Sequence, residues 1–217
     1  MLSRRPDPNH GDDELRQQVL KRFSAEVNGV PHEIVVHTPC DYTVALAECY
    51  GRAIYRDAVA NGTMTSAQAE KVIREKGLRE PDLVSQVQNL TDSVARGEKT
   101  LKDESVPFVE RRAIAEQMSR DRGEARYHRL TIAAVIDETA EARAKQARFD
   151  FICSCCLMKK DGKPFFPNVP TYIRERDAGH PVAHRGHWAL AEKLYGIRED
   201  FERHLPENMF LLAHPAC

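Results

Sequence analysis

The stretch from Pro81 to Ala144 constrains the fold most. Leu83, Val87, Leu90 and Val94 recur there by fours and threes, a spacing that puts apolar side chains on one narrow helical face. Gly97 reads as a break in this seam. Ser105 and Pro107 read as a restart. Ile114, Met118, Leu130, Ala133, Ile136 and Ala140 then continue a sparse apolar face, and charges of both signs cover the remainder. The pattern predicts a charged helical arm over residues 79–146, built of long antiparallel helices that pack by a thin stripe on the body or on a partner. In any single window the same pattern also fits a plain solvated helix face.

Ahead of the arm, residues 1–23 form a polar lead-in with Pro6, Pro8 and Gly11, expected to be disordered apart from a short helix at Glu14 to Phe23. Ala25 to His37 reads as a β-hairpin about Asn28-Gly29, with β-branched Ile34, Val35 and Val36 in its second strand. Thr38-Pro39-Cys40-Asp41 reads as a helix start, with Thr38 as cap and Pro39 at the first helical position. That helix runs to about Ala60 with Val44, Ala47, Ile54 and Ala58 on one side. Thr65 to Gln68 has the form of a capping box for a second helix, closed by Gly77. Two strands alone are marginal, so residues 24–78 are read as one docking unit of hairpin and two helices.

Residues 147–217 are read as a C-terminal helical subdomain of irregular outline. Phe149 to Met158 is its most apolar window, and Asp161-Gly162-Lys163-Pro164 is a turn. Pro167 and Pro170 argue against a regular helix at that point. Short and longer helices are expected at Thr171 to Arg176 and at Pro181 to Tyr195, the second ended by Gly196. Leu205 to Phe210 reads as a turn into a short apolar tail. The fold class is mainly α with a small N-terminal β-hairpin.

With 32 basic and 33 acidic side chains, the chain shows no overall bias toward nucleic acid or an anionic membrane. No apolar run approaches the roughly 20 residues that span a bilayer. No apolar leader follows Met1, so synthesis in a cytoplasm, with reduced thiols, is expected. Neither a GxxxxGK[ST] nor a GxGxxG sequence occurs, and no acid–base pair stands out. No small-molecule substrate is therefore expected.

The chemistry-bearing residues cluster late. Cys153, Cys155 and Cys156 fall within four positions, and His180, His184 and His187 follow. Cys153-x2-Cys156 with His180-x3-His184 matches the spacing of a structural zinc site, so these four are candidate metal ligands. A second reading is an interchain disulfide from Cys153, Cys155 or Cys217, made once the protein meets an oxidising medium. A third is a cysteine nucleophile, although no glycine-rich oxyanion loop accompanies it. The bland reading is that the cysteines pack as small hydrophobes. Arg111, Arg112, Arg120, Arg122, Arg126 and Arg129 form a basic run, but Glu116, Asp121 and Glu124 are interleaved with it and cancel most of its field.

Several short segments carry a family pattern. They are Ala147-Arg148-Phe149-Asp150-Phe151, Cys156, Asp161-Gly162-Lys163-Pro164-Phe165-Phe166 and Tyr172-Ile173. Further on come Lys193-Leu194-Tyr195-Gly196, Phe201-Glu202 and Leu205-Pro206-Glu207-Asn208-Met209-Phe210-Leu211. Upstream, His37-Thr38-Pro39, the helix with Tyr50 and Tyr55, Gly62 and Gly77-Leu78 add to it. Together these resemble virion and tail structural or assembly proteins of tailed bacteriophages, and the similarity is spread over residues 25 to 212. Cys153, Cys155 and the three histidines depart from the pattern, which favours a local use of cysteine. The resemblance implies a non-enzymatic component of the tail or baseplate region without catalytic residues or cofactor. Its partners would be other phage structural proteins, in multiple copies within a symmetric assembly, after synthesis in the host cytoplasm. A tail-assembly chaperone is the nearest alternative. A zinc-stabilised regulatory or nucleic-acid-binding module comes next, and a redox enzyme last.

Overall fold

The computed structural model describes residues 18–215. In it, β1 (Val19–Val27) and β2 (Val30–His37) pair antiparallel about Asn28-Gly29. Both turn residues have positive φ, 53° and 77°, the conformation whose twist suits a two-residue hairpin. The expected helix from Glu14 to Phe23 is corrected where it can be seen. Val19 to Phe23 lie in β1, where Lys21, Arg22 and Phe23 face Val36, Val35 and Ile34. Pairing with a β-branched strand overrides the local helical preference of this segment. Residues 1–17 of the expected lead-in lie outside the described residues.

A third strand, β3 (Leu157–Lys159), joins the other side of β2 with Leu157 opposite Val36, in the order β1-β2-β3. Three residues carry too little alternation to announce a strand, so the sequence reading missed it. The helices are α1 (Asp41–Ala60), α2 (Ser66–Glu75), α3 (Pro81–Leu101), α4 (Phe108–Asp137), α5 (Ala140–Cys156), α6 (Val169–Asp177), α7 (Pro181–Tyr195) and α8 (Pro206–Ala213), with a 3₁₀ turn at Phe201–His204 before the last. The fold is thus mainly α with a small N-terminal β-sheet.

Local signals explain most helix ends. Thr65 and Gln68 form the expected capping box on α2, and the Leu78 N–H returns to the Ile73 carbonyl at 3.0 Å past Gly77. Asn168 caps α6, and Pro170 sits in its first turn, where a missing N–H costs nothing. The prolines therefore begin this helix rather than exclude it. The cap of α1 is not Thr38, whose N–H extends the sheet by bonding the Gln18 carbonyl at 2.8 Å. Cys40 takes that place, its carbonyl accepting from Val44 at 3.0 Å. The segment after Leu205 is α8 and not a turn.

The chain forms two compact units. Among the described residues, unit 1 comprises residues 18–54 and Ala144–Arg198, and unit 2 comprises Tyr55–Arg143 and residues 199–215. These units do not follow the linear segments 24–78, 79–146 and 147–217. The hairpin shares a core with α5 and α7, whereas α2 packs on α4.

In unit 1, Ile34 and Val36 of β2 meet Phe149, Ile152, Cys153 and Cys156 of α5, Tyr172 of α6 and Val182 and Leu190 of α7. Gly186 lets α7 lie against Leu157, because any side chain there would collide with that leucine. In unit 2, α3 and α4 pack along the expected seam. Gly97 does not break α3. It is buried within it, and a Cβ there would stand 2.6 Å from Cγ and Sδ of Met118. Close helix approach outweighs the propensity cost of glycine at this position. Val94, Leu101, Ala115 and Met118 form the core of this seam, with Phe210 and Leu211 of α8 against it.

Candidate functional site

Helix α5 sets Phe149, Ile152, Cys153 and Cys156 on one buried stripe, following the three-and-four spacing of a helix. Asp150 sits among them with 2% of its surface exposed. A carboxylate there must be paired. It accepts from Gln146 Nε2 at 3.0 Å and forms an ion pair with Arg176, whose guanidinium also bonds Asp177 at 2.9 Å. Burial pushes the Asp150 carboxyl up from its ordinary range, while Arg176 and Gln146 pull it back. Burial works against the charge on Arg176 too, but its bonds to Asp150 and Asp177 outweigh that and raise it.

Two of the four buried side-chain polar atoms without a partner among the described residues lie around this pair. The hydroxyl of fully buried Tyr172 meets the Cys153 thiol, a weak acceptor, without a well-aligned hydrogen bond among the described residues. His187 presents an edge to Phe149 at a ring separation of 4.9 Å, and its Nδ1 is buried without a partner there. Burial and then the Arg176 charge lower its pKa from the ordinary 6.5. Burial drives the Cys153 thiol far above its usual range and pushes Cys156 up to about 12. Both stay protonated and closed to solvent, whereas a nucleophilic thiol needs thiolate character and access. The cysteine-nucleophile reading has no support in this geometry.

The zinc reading is also corrected. Cys153 and Cys156 point into the core, while His180 caps α7 by accepting the Val182 N–H on its Nδ1 at 3.2 Å. His184 is exposed, and no group of three His, Cys, Asp or Glu side chains among the described residues could hold a metal ion. The spacing matched, but two cysteines one turn apart on a buried helical face cannot reach outward to histidines on another helix. Cys153 is likewise too deep for an interchain disulfide without opening of the core. Cys155 is half-buried, both are free thiols, and Cys217 lies outside the described residues.

Unit 2 holds a second carboxylate that the sequence reading did not single out. Glu207 of α8 is 1% exposed, and its Oε1 accepts from Arg122 Nε at 2.5 Å. Arg122 also donates to Glu98 of α3 at 3.0 Å, so one guanidinium of α4 ties three helices. The basic run of α4 is largely consumed this way. Arg112 pairs with Glu116 at 3.2 Å, Arg126 pairs with Glu202, and Arg129 donates to the Thr91 hydroxyl at 3.1 Å. Besides a groove of about 470 Å³ lined by Gln86, Leu90, Gln117 and Asp121, two grooves border α4. One, of about 390 Å³, runs past Arg122, Arg126, Phe201 and Glu207. The other, of about 400 Å³, lies between α3 and α4 and is lined by Leu83, Val84, Val87, His128, Arg129 and Ile132.

Large apolar side chains also stand in solvent on these helices. Val84 is 54% exposed, Tyr127 69%, Leu130 54% and Val109 78%. Among the described residues, no helix is long and apolar enough to cross a membrane. Asp150, Tyr172 and His187 of unit 1 are turned inward, while these apolar side chains of unit 2 are accessible. No protein-family model matches the chain, and comparisons with curated proteins and with solved structures return no match.

Proposed function

We propose that this chain is a non-enzymatic structural component of a tailed-bacteriophage particle, in its tail or baseplate region. It is made in the host cytoplasm and acts by packing against other phage structural proteins, in multiple copies within a symmetric assembly. The phage affiliation rests on the resemblance of the segments between residues 25 and 212. The packing role is supported by one observation above others: the α3–α4 seam is filled at one end and leaves Leu83, Val84, Val87 and Ile132 around an open groove at the other. Exposed apolar surface of this kind marks interaction sites.

Quantitative mass spectrometry of purified particles tests the reading. A permanent subunit appears there at fixed copy number. A chaperone appears in infected-cell lysate and not in particles. Absence from both overturns the phage assignment.

A further inference from the structure

Two rungs of the α3–α4 hairpin lie one heptad apart. At the first, Arg122 of α4 meets Glu98 of α3 at 3.0 Å and Glu207 of α8 at 2.5 Å. Beside that rung Phe210 and Leu211 of α8 cover the apolar seam. At the second, seven residues onward in α4 and seven back in α3, Arg129 meets Thr91 at 3.1 Å. Among the described residues no carboxylate reaches Arg129, and the groove beside it is bordered by Leu78 and Arg79, just past the end of α2, rather than by a helix laid along it as α8 is. The seam floor of Leu83, Val87 and Ile132 stays open as the groove of about 400 Å³.

The charge around this groove is one-sided. Arg79, His128 and Arg129 line it and no acidic residue does, although the whole chain has 33 acidic and 32 basic side chains. Arg79 already pairs with Glu70 at 2.9 Å, which leaves Arg129, a residue this groove shares with the one beside Phe201 and Glu202, as the cation it offers. The same two helices therefore display, one heptad away, the chemistry that closes them: an apolar helix bearing a carboxylate aimed at an arginine.

We propose that the open end of the seam docks an acidic amphipathic helix of a partner protein. Its apolar side chains would rest on Leu83, Val87 and Ile132, and a carboxylate would pair with Arg129. This rests on the reading of unit 2 as a packing surface. Docking of an amphipathic helix in a groove supplies the apolar gain, and the Arg129 pair sets the charge preference.

The test is fluorescence anisotropy on the full chain with two synthetic amphipathic helices that share one leucine-rich stripe. One is flanked by glutamates and the other by lysines. The glutamate peptide is expected to bind about tenfold tighter, a preference set by charge complementarity. Arg129→Glu lies at an exposed position, so its melting curve should match the wild type while the preference reverses. Leu83→Asp should weaken both peptides. Equal binding of the two peptides, a preference unmoved by Arg129→Glu, or binding of neither overturns the assignment. Failure of the wider reading is separable. A chain found in particles at fixed copy number that binds neither peptide loses only the groove. A chain that binds the glutamate peptide selectively but is absent from particles keeps the groove and loses the virion role.

Discussion

Both units bury a carboxylate against an arginine, but the surroundings differ. In unit 1, Asp150 and Arg176 lie inside a core contributed by the sheet, α5, α6 and α7. In unit 2, Glu207 and Arg122 stand at one end of a two-helix seam whose buried core is Val94, Leu101, Ala115 and Met118. The first pair is enclosed by packing that exists without it. The second helps create the closure by holding α8 in place. An ion pair inside a large core must be satisfied because water cannot reach it. Both carboxylates are closed to water and both arginines hold a second one, Asp177 on Arg176 and Glu98 on Arg122, so the difference lies in the guanidinium, 23% exposed in the first pair and 34% in the second.

Removing each carboxylate should break this contrast or sharpen it. Asp150→Ala leaves Arg176, 23% exposed, with only the solvent-facing Asp177 and an unfilled site in the core, and should cost about 3 kcal/mol. Glu207→Ala leaves Arg122, 34% exposed, with Glu98 still bonded, and should cost about 1–2 kcal/mol. Fluorescence of Trp188, the single tryptophan, follows unit 1 during denaturant unfolding, and circular dichroism follows the helices as a whole. Equal losses in the two variants would remove the distinction between enclosed and closing pairs.

The two ends of the seam give a smaller difference. Gly97→Val drives a side chain into Met118 and should cost about 1–2 kcal/mol, the usual scale of overpacking. Val84→Ala, at the open end, should change stability by less than about 0.5 kcal/mol. A large loss from Val84→Ala would mean that the open end is already packed in the free protein.

The smallest effect is a pH slope confined to unit 1. His187 has a folded pKa below 6.5 because burial and then Arg176 disfavour its charged form, with His184 adding to this and Asp150 opposing it. Below 6.5 the unfolded chain takes up a proton that the folded chain refuses until its lower pKa is reached. Stability is therefore complete above the unfolded value and falls as the pH drops through this window. His187→Phe should flatten the decline in Trp188-monitored stability between about pH 7 and pH 5. An unchanged slope would assign the decline to other groups.

Local features were the legible ones. Asn28-Gly29, the Thr65–Gln68 box and Gly196 each fix a turn or a helix end through their own backbone and side chains, and all three appear where expected. What stayed hidden depends on partners distant in sequence. Leu157 to Lys159 becomes a strand only because β2 offers a free edge. Gly97 reads as a breaker until Met118 is seen against it. Asp150 was visible as a lone charge in an apolar window, but Arg176, its partner from α6, was not. The cysteine and histidine spacing fitted zinc, yet spacing does not tell which face of a helix is buried. The open groove was partly legible, since Leu83, Val87 and Leu90 formed a seam with too little apolar area to close itself. The end of the seam left uncovered followed only from where α8 lies.

Hydrogen exchange of the free, full-length chain, read by mass spectrometry, tests the central claim most directly, because protection reports local opening. Peptides covering 149–157 and 182–191 should be among the slowest to exchange. Within the hairpin, 94–101 and 115–125 should exchange slowly, while 81–91 and 127–137 should exchange at least about tenfold faster. Uniform protection along α3 and α4 would contradict the account, since it would show a seam closed at both ends with no face left to dock a partner.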